Sequence, residues 1–201
     1  MATTNHELLY YIPAGQYGKE GVLALLEQHP EIKFVSLVGI DLAGNDTDEK
    51  IPMSAFFDDY ESFFEGRAVQ TDGSSVVLTN IATLNNARVD MWGDPSVNWF
   101  VDYNYENIDP ATGLPTGTLR IPAFLMHNYR YVDSRSILKR SCDYVKTELL
   151  NLIKEHGLPG MPHVKSDDVV DIIFTSATEL EFWVKTPART VTKKELSVSQ
   201  K

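Results

Sequence analysis

The chain is predicted to take an α+β fold. Short β-rich runs at 32–41, 50–53, 68–70, 88–92, 97–105 and 118–124 surround one aromatic helix, and a much longer helical pattern follows them. The strands are separated by turn-rich Asp94-Pro95 and Asp109-Pro110-Ala111-Thr112-Gly113, which connect extended segments compactly.

Each element has a local reason. Over 19–29, Val22, Leu23, Leu25 and Leu26 fall near helical spacing, and Pro30 ends the run. The β-forming run 32–41 meets the turn residues Leu42-Ala43-Gly44-Asn45-Asp46 and then a second extended piece at 50–53, which makes a hairpin. Ser54 is placed to cap a helix through Phe64 that carries Phe56, Tyr60, Phe63 and Phe64, with Asp58 and Asp59 on its solvated face. Gly66 suits a left-handed stop. Farther on, Ser134 is placed to cap the longest helix, 134–156, whose Leu138, Cys142, Val145, Leu149, Leu152 and Ile153 form one apolar stripe before Gly157-Leu158-Pro159. On that stripe Cys142 reads as core rather than as a nucleophile. Strands at 169–175 and 178–184 are expected to receive the stripe.

Composition narrows the function. The chain has 201 residues and a net charge of -10, from 28 acidic against 18 basic residues, which argues against nucleic acid or an anionic membrane as the main partner. With Cys142 as the sole cysteine, neither an intrachain disulfide nor a cysteine-based zinc site can form within one chain. Together with the lack of an export signal or a long apolar run, this makes a cytoplasmic location the expectation. The five histidines show no metal-ligand spacing on one element, and no Gly-x-Ser-x-Gly elbow or glycine-rich phosphate loop is present.

One stretch carries a chemical signal. In Ala177-Thr178-Glu179-Leu180-Glu181-Phe182-Trp183-Val184 the alternation sets Leu180, Phe182 and Val184 toward a core and puts Glu179 and Glu181 on the opposite face. Carboxylates two apart on a strand stand roughly 7 Å from each other, a span suited to two adjacent divalent cations. A solvated strand face explains the same pattern.

Several motifs in order resemble the glutamine synthetase family. The hairpin with Ile51-Pro52, the aromatic helix and the loop Thr71-Asp72-Gly73-Ser74-Ser75 resemble its amino-terminal β-grasp domain. Asp94-Pro95-Ser96 and Ser134-Arg135-Ser136-Ile137-Leu138-Lys139-Arg140 look like its Asp-Pro-Ser strand end and the start of its first catalytic-domain helix. Glu179-Leu180-Glu181-Phe182 is similar to its metal-binding Glu-x-Glu-Phe strand, and the resemblance spans roughly 32–184. The organisation it implies is a leader and short helix at 1–29, a β-grasp domain at 30–127 and the start of a catalytic domain at 128–201.

The resemblance implies an ATP-dependent ligase that activates the γ-carboxylate of glutamate as an acyl phosphate for attack by ammonia. Mg²⁺ or Mn²⁺ would neutralise the phosphate charge, with Glu181 on the metal nearer glutamate and Glu179 on the metal bridging the ATP phosphates. Asp72 would reach the neighbouring subunit's site in a homo-oligomeric ring, bind ammonium and draw off its proton. A turn-capping role explains Asp-Gly-Ser equally well on local grounds.

Departures from the family pattern mark a divergent branch. Its second loop aspartate falls on or near Arg88, with Asp90 two residues away. No Trp follows Asp-Gly-Ser-Ser within 76–82, and Ala177-Thr178 replaces the usual glycine. The sequence ends before the family's remaining metal and phosphate ligands, so this portion by itself is expected to be inactive and to bind metal weakly. The alternatives are a γ-glutamyl-amine ligase of the same superfamily and a non-catalytic β-grasp interaction module.

Overall fold

The structure, a computed structural model, describes residues 7–77, 88–179 and 181. Compactness divides the chain into a unit over Met1–Glu148 and a unit over Leu149–Lys201. In the first, strand β1 (Tyr11–Ile12) precedes helix α1 (Lys19–Glu27), then strands β2 (Ile32–Ile40) and β3 (Asp46–Pro52) and the short helix α2 (Met53–Asp58). A 3-10 turn at Tyr60–Phe64 leads to β4 (Val69–Asp72), β5 (Arg88–Gly93), β6 (Trp99–Ile108), β7 (Pro115–His127) and β8 (Arg130–Tyr131). Helix α3 (Ser134–His156) runs across the boundary between the units. The α+β expectation is met by this mixed eight-stranded sheet with its three α-helices among the described residues.

Strand β7 organises the sheet. Its first half pairs in parallel with β2 and antiparallel with β6; its second half pairs antiparallel with β5 and β8. The hairpin of β2 and β3 forms as the turn chemistry requires, with Phe34 opposite Pro52 and Ile40 opposite Asp46. Alternation along β7 sends Leu119, Ile121, Ala123 and Leu125 into the core, where they join Val35 and Leu37 of β2 and Val89 and Met91 of β5. Phe56, Tyr60 and Phe63 complete this core. Trp99, wholly buried, is stacked between Tyr17 at 3.9 Å and Phe64 at 5.4 Å, and its indole N–H donates to the Asp94 carbonyl at 3.1 Å.

Several details differ from expectation. Helix α2 begins at Met53, preceded by Pro52 with no side-chain cap, so Ser54 lies inside it. Proline at the strand end fixes φ at -57° and hands the chain directly to the helix. The helix stops at Asp58, because Asp59 leaves helical geometry (φ -125°, ψ 35°), and the aromatic run continues as the 3-10 turn. Gly66 has φ +67°, as a left-handed stop demands, and lies so close to the Trp92 ring that a Cβ there would collide with it.

At the start of α3 the cap is Asp133, not Ser134. The Asp133 carboxylate accepts from the Ser136 backbone N–H at 2.8 Å, the Ser136 hydroxyl at 2.9 Å and the Leu125 N–H of β7 at 3.2 Å. A hydroxyl could not hold helix and strand together through two oxygens at once. At its other end the helix stops at Gly157 with φ +76°, as predicted.

The apolar stripe of α3 does not find its expected strands. No residue of α3 is buried, Leu138 and Leu152 are exposed, and Cys142 is half-buried rather than in the core. The strand predicted at 169–175 is absent: after a 3-10 turn at Ser166–Asp168 the chain is irregular, with Val170 85% exposed. Sequence propensity there lacks a neighbouring strand to satisfy its backbone, and an unpaired strand has no ladder to stabilise it. Of the strand predicted at 178–184, residues 178, 179 and 181 are also irregular, and the rest lies outside the described residues.

Candidate functional site

Two motifs far apart in sequence meet in the first unit. At the end of β5, Asp94 is buried, and its carboxylate accepts from the Ser96 N–H at 2.8 Å and the Ser96 hydroxyl at 2.6 Å. Its second oxygen is held by the Arg135 guanidinium from the first turn of α3. Burial alone would raise the Asp94 pKa; the hydrogen bonds from Ser96 and the Arg135 guanidinium more than offset it and hold the carboxyl below its ordinary value. Arg135 also lies over the Phe124 ring at 4.9 Å. The Asp-Pro-Ser and Ser-Arg-Ser motifs thus form one latch between sheet and helix.

Asp72 is the last residue of β4, and the 3-10 turn Gly73–Ser75 begins immediately after it. It is therefore strand-held rather than at a loop tip. In the register of β4 and β5, Asp72 stands opposite Arg88 and Gln70 opposite Asp90, so these four side chains share the face turned away from the core residues Val89 and Met91. Arg88 and Asp90 are paired with each other: Arg88 Nε lies 2.8 Å from Asp90 Oδ1, and Nη2 donates to Oδ2 at 3.2 Å.

The same face opens into a cavity of about 290 Å³ lined by Arg88, Asp90, Trp92, Met126, His127, Asn128 and Tyr129. Asp90 Oδ1 and Trp92 Nε1 are buried without a hydrogen-bond partner. The close Arg88 Nε approach to Oδ1 is a charge contact whose direction does not make a hydrogen bond. His127 donates from Nδ1 to the Arg88 carbonyl at 3.0 Å and accepts at Nε2 from Asn128 Nδ2 at 2.9 Å, a tautomer assigned from its partners. The rim is the two-residue turn between β7 and β8, with Asn128 at φ 47° and Tyr129 at φ 63°. Paired positive φ angles define the tight hairpin turn that favours glycine second. Here a tyrosine occupies that position, with its side chain 97% exposed.

Sequence reasoning found Asp72, Arg88 and Asp90 but missed Trp92, Met126, His127, Asn128 and Tyr129. The local signal was weak: Asn-Tyr is not a strong hairpin dipeptide, and His127 gives no spacing pattern. Glu179 and Glu181 lie in the second unit, both exposed on irregular chain. Among the described residues no group of three or more His, Cys, Asp or Glu side chains is placed to hold a metal ion. Two carboxylates fall short of the six oxygen ligands Mg²⁺ requires, so a metal centre does not fit the described residues alone. Among them, too, no helix is long and apolar enough to cross a membrane.

No family model and no curated protein matches the sequence. A likeness is found only at the level of structure. The chain is similar to a Plasmodium falciparum glutamine synthetase determined by cryo-electron microscopy, at 15% identity and a TM-score of 0.45, over 68% of this chain and 24% of that one. It therefore spans less than two thirds of that enzyme's length. The likeness is one of chain trace over a portion of both molecules, and no residue's role rests on it.

Proposed function

We propose that this chain is the amino-terminal part of a glutamine synthetase-type ligase, which condenses glutamate with ammonia through a γ-glutamyl phosphate formed from ATP. The observation that carries the reading is the ordered set of sequence motifs: Asp72-Gly73-Ser74-Ser75, Asp94-Pro95-Ser96, Ser134-Arg135-Ser136-Ile137 and Glu179-Leu180-Glu181-Phe182. Supporting it, β2 and β7 run parallel in the sheet centre beside the β2–β3 hairpin, an arrangement compatible with a β-grasp domain. The Asp94–Arg135 latch gives two of the motifs a common structural purpose.

In this reading Asp72 binds the nucleophile and takes its proton, while Glu179 and Glu181 contribute part of the ligand shell for Mg²⁺ or Mn²⁺, completed by residues outside this sequence. The work is cytoplasmic, within a homo-oligomeric ring. The test compares two proteins for ATP-dependent glutamine formation. The 201-residue chain is expected to be inactive and to bind Mn²⁺ weakly. Within a protein that supplies the remaining ligands, Asp72→Ala is expected to lower kcat with ammonia by about 10²-fold or more while leaving the KM for ATP little changed. Turnover by the 201-residue chain, or an unaltered Asp72→Ala enzyme, overturns the respective part of the reading.

The size of the cavity beside Asp90 favours a second reading, in which an organic amine replaces ammonia. About 290 Å³ far exceeds the roughly 10–15 Å³ that one water-sized ligand requires.

A further inference from the structure

We propose that Asp41 is a positioning residue for Asp72, fixing the chain that follows it; this rests on the ligase reading, in which Asp72 meets the nucleophile. Asp41 comes directly after β2 and is 1% exposed. Its two carboxylate oxygens have different partners. Oδ1 accepts from the backbone N–H groups of Ala43 and Asn45, both at 2.9 Å, and so closes the β2–β3 turn. Oδ2 accepts from Asn45 Nδ2 at 3.0 Å and, across 36 positions of sequence, from the Val77 N–H at 2.9 Å. The Leu42 N–H donates to the Val77 carbonyl at 3.2 Å, so both main-chain polar groups of Val77 are tied to the same turn. Closing the turn requires only Oδ1. The second oxygen joins the turn to the chain beyond Asp72.

Asp72 lies between two fixed points. Behind it, β4 is paired with β5, where Asp72 stands opposite Arg88. Ahead of it, the 3-10 turn Gly73–Ser75 leads to Val76, which is buried in the core and donates its N–H to the Gly73 carbonyl at 3.2 Å, and then to the anchored Val77. Asp72 itself is exposed, so the backbone on its two sides sets where its carboxylate is presented. A displacement of about 1 Å in a group that orients a reactant is enough to cost about 10²-fold in rate. An ionised acceptor suits the anchor, because hydrogen bonds to a carboxylate are roughly twice as strong as neutral ones.

The test uses Asp41→Asn, which keeps one acceptor oxygen for the Ala43 and Asn45 amides and turns an N–H group toward Val77. In the 201-residue chain, amide hydrogen exchange followed by NMR is expected to speed up at Val77 by about tenfold or more, while the Ala43 and Asn45 amides keep their wild-type protection and show that the variant is folded. Unchanged exchange at Val77 overturns the anchor. A scalar coupling between the Val77 amide nitrogen and Asp41 Cγ reads the same bond in the wild type, and its absence overturns the anchor whether or not the variant folds. In the longer protein that supplies the remaining ligands, Asp41→Asn is expected to lower kcat with ammonia by about tenfold, to leave the KM for ATP little changed, and to add nothing to Asp72→Ala. Equal losses with and without Asp72→Ala, or no loss in an enzyme that Asp72→Ala does slow, overturn the positioning role alone. An Asp72→Ala enzyme with unchanged turnover instead sinks the reading of Asp72, and the role of Asp41 with it.

Discussion

Two β-rich stretches of similar composition meet opposite fates in this molecule. The run Ile32–Ile40 becomes a central strand whose Val35 and Leu37 are wholly buried. The run 169–175 stays irregular, with Val170 85% and Ile173 81% exposed. Both carry β-branched residues, so propensity does not separate them. Partners do: β2 has β3 joined to it by a tight turn and β7 arriving in parallel, whereas 169–175 pairs with no strand among the described residues. A β-forming sequence is therefore a conditional statement about a sheet edge.

The sharpest way to break this comparison is to truncate one apolar side chain in each region. Phe56→Ala, in the core against Tyr60 and Phe63, should cost about 3–5 kcal/mol in urea unfolding. Ile173→Ala should stay within about 0.5 kcal/mol. A large loss from Ile173→Ala would mean that the second region holds a core after all.

A smaller effect sharpens the role of the latch. Asp94→Ala should cost about 1–3 kcal/mol, a range kept modest because the Arg135 side chain is 40% exposed and screened by solvent. Since the folded Asp94 carboxyl lies below its ordinary value of 3.8, its contribution is complete above that value and is lost as pH falls through the depressed folded value. The wild type should therefore lose stability on acidification below about pH 4 more steeply than Asp94→Asn, as read by denaturant midpoints across pH. Identical slopes would show that the latch is not the acid-sensitive element.

The smallest expected effect has the opposite sign. Tyr129→Gly relieves the left-handed tyrosine but loosens the unfolded chain, for a net gain of about 0.5 kcal/mol in thermal or urea unfolding. A loss would place the ring in the stabilising structure rather than at a binding rim.

These regions also show what was legible in the sequence. The β2–β3 hairpin, the left-handed Gly66 and Gly157 and the length of α3 were readable because their signals are local: turn residues, glycine and helical spacing. The helix starts differ from expectation at α3, where the Asp133 carboxylate takes the capping role expected of Ser134, and at α2, which begins at Met53 after Pro52 without a side-chain cap. The cavity was largely hidden, because Asp90, Met126 and Tyr129 are joined only by the pairing of β5, β7 and β8. Alternation shows which face a residue takes, but not which strand will lie beside it.

The sharing of β7 between both halves of the sheet governs how the chain folds. Residues 32–38 must find 117–122 in parallel register, which closes a loop through most of the first unit before either half of the sheet is complete. Such a distant pairing is intrinsically slow and belongs late in the folding reaction, after the β2–β3 hairpin has formed locally. A slip of one residue in β7 would turn Leu119, Ile121 and Leu125 outward and drive Arg120, Pro122 and Phe124 inward. Core and cavity wall are thus committed in one kinetic event, and a chain that has not yet docked β7 has neither.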